Sequence, residues 1–172
     1  MEIESKFLVL DEADVQDLEK LSQLEDYAVS KAAVQMIEDT FLDTKKMSLM
    51  AEGYYLRLRK EIGREGQSLT IKSLGGFEAG VHGREEYISF LPEDISVFEC
   101  PDIRIKERIF ELSSGFDLIP LLKLKQKRIL HQLKLGERQI AKFSLDHVSL
   151  KNEKREKLYN EFEVELEAEG TP

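Results

Sequence analysis

Residues 161–167 read Glu-Phe-Glu-Val-Glu-Leu-Glu, four carboxylates at alternate positions with one apolar residue between each pair. Alternation at period two marks a strand with two chemically different faces. Side chains at i and i+2 share a face about 7 Å apart, so a row of carboxylates repels itself unless cations sit among them. The chain opens in the same way: Glu2, Glu4 and Lys6 point to one side, and Ile3, Ser5, Phe7 and Val9 to the other. Any fold must either gather these two acidic faces around positive charge or keep them apart in water.

A second, basic set occupies the interior of the sequence. Arg57 and Arg59 share a face, Lys72 ends Leu69-Thr70-Ile71-Lys72, Arg84 and Glu86 share another face, and Lys123, Lys125 and Lys127 alternate with Leu122 and Leu124. Charges on one strand face are ordinary where that face meets water. Here they segregate by strand, which points instead to a sheet that turns its charged faces inward around a wet, ion-holding lumen. A dry, empty lumen of this kind would be costly. Hard divalent cations suit the carboxylates, and magnesium typically takes one or two protein carboxylates together with waters and phosphate oxygens.

The remaining pattern agrees with an antiparallel, mainly β (α+β) fold. Strand-like stretches fall near 2–10, 34–43, 53–62, 67–74, 83–90, 121–134, 138–149 and 158–167, punctuated by glycines. Val15, Leu18, Leu21 and Leu24 give helical spacing over 11–26 with Asp11 or Asp14 as N-cap, and a second helix is expected near 102–114. No βαβ rhythm appears, so the sheet is expected to be closed rather than doubly wound, with both helices packed outside. The 172 residues fit one domain, 1–172.

Several functions are disfavoured. A formal net charge of −9 argues against broad nucleic-acid binding. No apolar run approaches a membrane span and no signal peptide is evident, so a cytoplasmic location with no membrane partner is expected. Cys100 is the single cysteine, which rules out an intrachain disulfide. The three histidines are scattered with no nucleophile motif beside them, and no Gly-Lys-Ser/Thr phosphate loop occurs.

Read in order, Glu2-x-Glu4-x-Lys6, Asp39-Thr40-Phe41-Leu42-Asp43-Thr44, Leu56-Arg57-Leu58-Arg59, Leu69-Thr70-Ile71-Lys72, Arg84-Glu85-Glu86, Asp146 in Ser144-Leu145-Asp146-His147-Val148, and Glu161-Phe162-Glu163-Val164-Glu165 resemble the CYTH, or triphosphate tunnel, family of inorganic triphosphatases, thiamine triphosphatases and class IV adenylate cyclases. The resemblance implies a closed eight-stranded antiparallel barrel. It also implies phosphate gripped by Lys6, Arg57, Arg59, Lys72, Arg84, Lys125 and Lys127, and Mg2+ or Mn2+ held by Glu2, Glu4, Glu161, Glu163 and Glu165. Glu4, Glu163 and Asp146 are the implied catalytic carboxylates. The family shows Lys-x-Arg on a late strand where this chain has Lys125-Gln126-Lys127-Arg128, which leaves open whether Lys127 or Arg128 faces inward.

The expected activity is metal-dependent hydrolysis of a triphosphate, with inorganic tripolyphosphate preferred. Thiamine triphosphate hydrolysis, cyclisation of ATP and non-catalytic polyphosphate binding are the alternatives. No segment of the sequence marks a pocket for a nucleobase, and oligomeric state is left open.

Overall fold

The computed structural model describes residues 2–74, 77–78, 81–84, 86–93, 95–151 and 156–167, with backbone only for residues 2, 77–78, 81–84 and 151. Twelve strands and three helices follow one another as β1 (Glu2–Val9), α1 (Glu12–Glu19), β2 (Gln23–Leu24), β3 (Tyr27–Val29), β4 (Ala33–Thr44), α2 (Ser48–Ala51), β5 (Tyr54–Glu61), β6 (Gln67–Ser73), β7 (Phe77–Glu78), β8 (Val81–Arg84), β9 (Glu86–Leu91), α3 (Ile103–Ser113), β10 (Leu118–Leu135), β11 (Arg138–Lys151) and β12 (Glu156–Leu166). A 3-10 turn, Val97–Glu99, precedes α3.

All strand pairs are antiparallel and belong to one sheet, ordered β7-β8-β1-β12-β11-β10-β4-β5-β6-β9, with the β2–β3 hairpin attached to β10. The expected eight-stranded closed barrel is corrected here. Ten strands lie along the path, and among the described residues no ladder joins β7 or β8 to β9. The sheet nevertheless rolls on itself. Arg84 ends β8 and Glu86 begins β9, so strands from opposite ends of the order lie within about 7 Å of each other at that point. Lys72 of β6 also reaches Glu4 of β1 at 3.7 Å across the same gap. The stretch read as one strand over 83–90 is therefore two strands in different parts of the sheet.

The apolar core lies outside the roll. Ile105, Ile109 and Leu112 occupy one stripe of α3 and pack with Leu49, Leu56, Leu69, Ile71 and Leu91 of α2, β5, β6 and β9. Asp102 caps α3 by accepting from the Arg104 N–H at 3.0 Å. Fully burying a side chain such as Ile109 contributes roughly 1.5–3 kcal/mol, and Ile109→Asp would put an unpaired charge into this layer.

On the other side, Val15 of α1 sits over Ile129 and Leu145. This helix is shorter than expected. Lys20 closes it by donating its backbone N–H to the Gln16 carbonyl, and the chain then turns through Glu25, at φ 50, into the β2–β3 hairpin. Leu21, Tyr27 and Val29 thus cover Leu133, Ala141 and Phe143, the surface that a longer helix was expected to shield. Among the described residues no helix is long and apolar enough to cross a membrane.

Candidate functional site

The inner faces of the rolled sheet enclose a cavity of about 460 Å3. Glu4 and Lys6 of β1 and Glu161, Glu163 and Glu165 of β12 line one side; Arg57 and Arg59 of β5, Lys72 of β6 and Glu86 of β9 line the other. Asp39 and Phe41 of β4, Gln126 and Arg128 of β10, and Lys142 of β11 complete the wall. Strand register explains much of the convergence, because several of these side chains face one another directly across a ladder. Lys6 lies opposite Glu163, Asp39 opposite Arg59, Arg128 opposite Asp146, and Asp146 opposite Glu161.

Carboxylate oxygens of Asp146, Glu161 and Glu163 all lie within 4.8 Å of one another. Two cations neutralise this group. Arg128 donates two hydrogen bonds to Asp146, at 2.8 and 2.7 Å, and reaches Glu163 at 3.4 Å. Lys6 donates to Glu163 at 2.9 Å and lies 3.6 Å from Glu161. Burial alone would raise the Glu163 carboxyl, but Lys6 and Arg128 outweigh it and hold the group below its ordinary range. Glu4 moves the other way: burial, together with its hydrogen bond toward Glu163, raises it. Burial thus pushes Glu4 up to about 7, while Lys6 and Arg128 keep Glu163 low. Burial likewise raises Glu161.

Across the cavity, Arg59 is locked by Asp39 through two hydrogen bonds of 2.7 Å. Lys72 lies 3.5 Å from Glu86 as well as 3.7 Å from Glu4. Arg57 differs from these cations. Its one hydrogen bond is a long 3.5 Å contact to the Thr70 hydroxyl, and its buried Nε makes none. Burial and the neighbouring Arg59 charge both lower its pKa, and Asp39 and Glu86 offset them only in part.

Two expected phosphate ligands are placed elsewhere. Lys125 points outward, three-quarters exposed, and pairs with Glu38 at 2.7 Å; Lys127 is exposed on the same outer face. The buried residues Ile129, His131 and Leu133 share their parity, so the face carrying these lysines is the one that packs under α1 and the hairpin. Gln126 and Arg128 turn inward instead. Glu165 lines the cavity but is engaged by Lys142 at 2.9 Å. The side chains of Glu2 and Arg84 lie outside the described residues, although their backbones pair with each other across β1 and β8.

Of the pair left open in the sequence, Arg128 rather than Lys127 faces inward. Asp39, Gln126 and Lys142 were not among the expected site residues, and parity is the signal that could have found them: Asp39 shares the face of Phe41, Lys142 that of Asp146, and Gln126 alternates against the buried Ile129.

An all-oxygen set of three converging carboxylates fits a hard divalent cation, which needs few protein ligands when phosphate and water complete its shell. The neighbouring Lys6 and Arg128 fit the same picture, since they orient carboxylates that would otherwise repel each other.

A solved structure of a candidate adenylyl cyclase from Hippeastrum, described as having a dominant triphosphatase activity, superimposes with a TM-score of 0.73 at 20% identity, covering 96% of this chain and 79% of that one. A candidate adenylate cyclase from Bacillus halodurans gives 0.63 at 19%, with 96% and 80% covered, and a protein from Pyrococcus horikoshii gives 0.59 at 19%, with 98% and 78% covered. At these identities the likeness is one of fold. A search of curated proteins found no match. Residues 1–171 match the CYTH domain profile, and the chain belongs to the CYTH domain family.

Proposed function

We propose that this chain hydrolyses a triphosphate in a divalent-metal-dependent reaction, with inorganic tripolyphosphate as the minimal substrate and magnesium or manganese as the metal. The observation that carries the reading is the opposition of a carboxylate cluster, Asp146, Glu161 and Glu163, to Arg57, which has no carboxylate within 4 Å among the described residues, across one cavity. A chain of phosphates is a ligand that satisfies both sides at once.

Asp146, Glu161 and Glu163 would hold the metal, which when bound neutralises charge on phosphate oxygens as a Lewis acid. Arg57 binds a phosphate oxygen through a charge-assisted contact, which no carboxylate within 4 Å among the described residues competes for. Arg59, pinned by Asp39, presents its remaining N–H groups in a fixed direction. Lys72 adds positive charge beside Arg57, and Lys6 keeps Glu163 ionised. Burial raises Glu4, and Lys6 and Arg128 lower Glu163, so the two neighbouring carboxyls titrate apart from each other. Preorganised charge of this kind is the main protein contribution to phosphoryl transfer.

The test is phosphate release from tripolyphosphate, ATP, thiamine triphosphate and long-chain polyphosphate, each with magnesium, with manganese and with chelator. Hydrolysis should need the metal, and Glu163→Gln should lower it about 100-fold or more, at least the upper end of what loss of a group supporting a metal site costs. Activity undiminished by chelator would sink the mechanism. Tight binding with no turnover under any condition would favour a polyphosphate-binding module.

A further inference from the structure

Helices and the hairpin cover the outer surface of the rolled sheet in two places. α1 and the β2–β3 hairpin lie over Ile129, Leu145 and Leu133, and α2 and α3 lie over Leu56, Leu69 and Ile71. Between them, the strip where β4 pairs with the first half of β10 is bare. Register puts Lys127 opposite Met36, Lys125 opposite Glu38 and Lys123 opposite Thr40, so these side chains share one outward face, and all three lysines are exposed. At alternate positions of one strand they stand about 7 Å apart. Glu38 pairs with Lys125 at 2.7 Å, and Lys60, which lies opposite Glu38 on β5, pairs with Glu93 at 2.9 Å. Lys123 and Lys127 have no carboxylate within 4 Å among the described residues.

At the Lys127 end this face turns apolar. Val34, Met36 and Ile62 are 59%, 50% and 52% exposed. The Ile62 N–H donates to the Met36 carbonyl at 2.8 Å, and Val34 sits two residues from Met36 on the same side of β4. A row of lysines alone would be an ordinary solvated face. Its continuation into exposed apolar side chains, on a chain whose net charge is −9, marks a place where a partner of opposite charge can be both attracted and dehydrated.

We propose that this strip docks an amphipathic helix of a partner protein, its apolar stripe on Val34, Met36 and Ile62 and its acidic flank against Lys123 and Lys127. Helices already cover the two neighbouring faces of the same sheet, and an added helix buries the bare strip in the same way. An anionic bilayer fits less well, since the net negative charge of the chain opposes it.

The probes are two synthetic amphipathic helical peptides with one leucine stripe, flanked by glutamates in the first and by lysines in the second, each titrated into the 15N-labelled protein. The glutamate-flanked peptide should shift the backbone amides of residues 34–40 and 123–127, and the lysine-flanked peptide should bind at least about ten-fold more weakly. The double substitution Lys123→Glu with Lys127→Glu should weaken the glutamate-flanked peptide about ten-fold or more, because each reversal turns an attraction into a repulsion, and should leave tripolyphosphate affinity within about two-fold. Met36→Ser, at an exposed position that the fold tolerates, should weaken the same peptide about three-fold. Equal binding of the two peptides, shifts centred elsewhere, no binding of the glutamate-flanked peptide, or an equal loss of peptide and tripolyphosphate in the double variant overturns the proposal. Self-association through this face, or attachment to phosphatidylserine vesicles in place of peptide binding, overturns it as well and assigns the strip to a second copy or to a bilayer.

Discussion

The two sides of the cavity solve opposite problems with different degrees of completeness. On the acidic side, β1, β11 and β12 supply more carboxylates than water-poor surroundings tolerate, and Lys6 and Arg128 reach in from within the same wall to neutralise them. On the basic side, Arg59 and Lys72 have carboxylates within 4 Å, whereas Arg57 has none among the described residues. Strand-by-strand sorting of charge is therefore only the coarse pattern. At the level of atoms the acidic wall is almost self-sufficient, and the basic wall holds one guanidinium with no carboxylate within 4 Å among the described residues.

The largest expected effect comes from breaking the self-sufficiency. Asp146→Asn removes the carboxylate that takes two bonds from a mostly buried Arg128, and loss of one partner of a buried pair costs about 3–5 kcal/mol. Arg128 keeps its contact to Glu163, so unfolding by denaturant should show the lower end of that range. A change below about 1 kcal/mol would mean that the acidic wall does not depend on its internal cations. Arg57→Ala tests the other wall. Tripolyphosphate affinity should fall by about 1.5–3 kcal/mol, the worth of a hydrogen bond to a charged group, while stability holds or rises because a buried charge repelled by Arg59 is gone. Lost stability with unchanged affinity would reverse the roles assigned to the two walls. The smallest effect is expected for Lys125→Ala and Lys127→Ala, which should leave both stability and tripolyphosphate affinity within about 0.5 kcal/mol, as surface changes usually do. A clear loss of affinity in either would place part of the phosphate grip outside the cavity.

Those two lysines also mark the limit of what alternation reveals. Period two was plain in β10, β11 and β12, and it correctly put Glu4, Lys6, Arg57, Arg59 and Lys72 on the face that became the cavity. It fixes which residues share a face but not which face turns inward. In β10 both parities carry leucines and cations, so the inward set had to be decided by the burial of Ile129, His131 and Leu133, a tertiary fact. A bulge between Pro120 and Leu122 against β4 further shifts register at the start of that strand. The break between β8 and β9 was equally hidden, since Arg84 to Glu86 continues the alternation while the two strands part to opposite ends of the sheet. In α1, the apolar spacing ran on past Glu19, but the later leucines serve the hairpin, whose short strands bury them just as well.

The pairing of β1 with β12 joins Lys6 to Glu163 across 157 positions of chain. During synthesis, β1 waits with its glutamate and lysine exposed until β12 has been made, and the carboxylate cluster has no existence before then. Contacts of such long separation carry a large loop-closure entropy and are expected late on the folding path. A folding intermediate can therefore own most of the outer core and still lack the acidic site, and any cation that binds the finished cluster selects the fully closed chain over that intermediate.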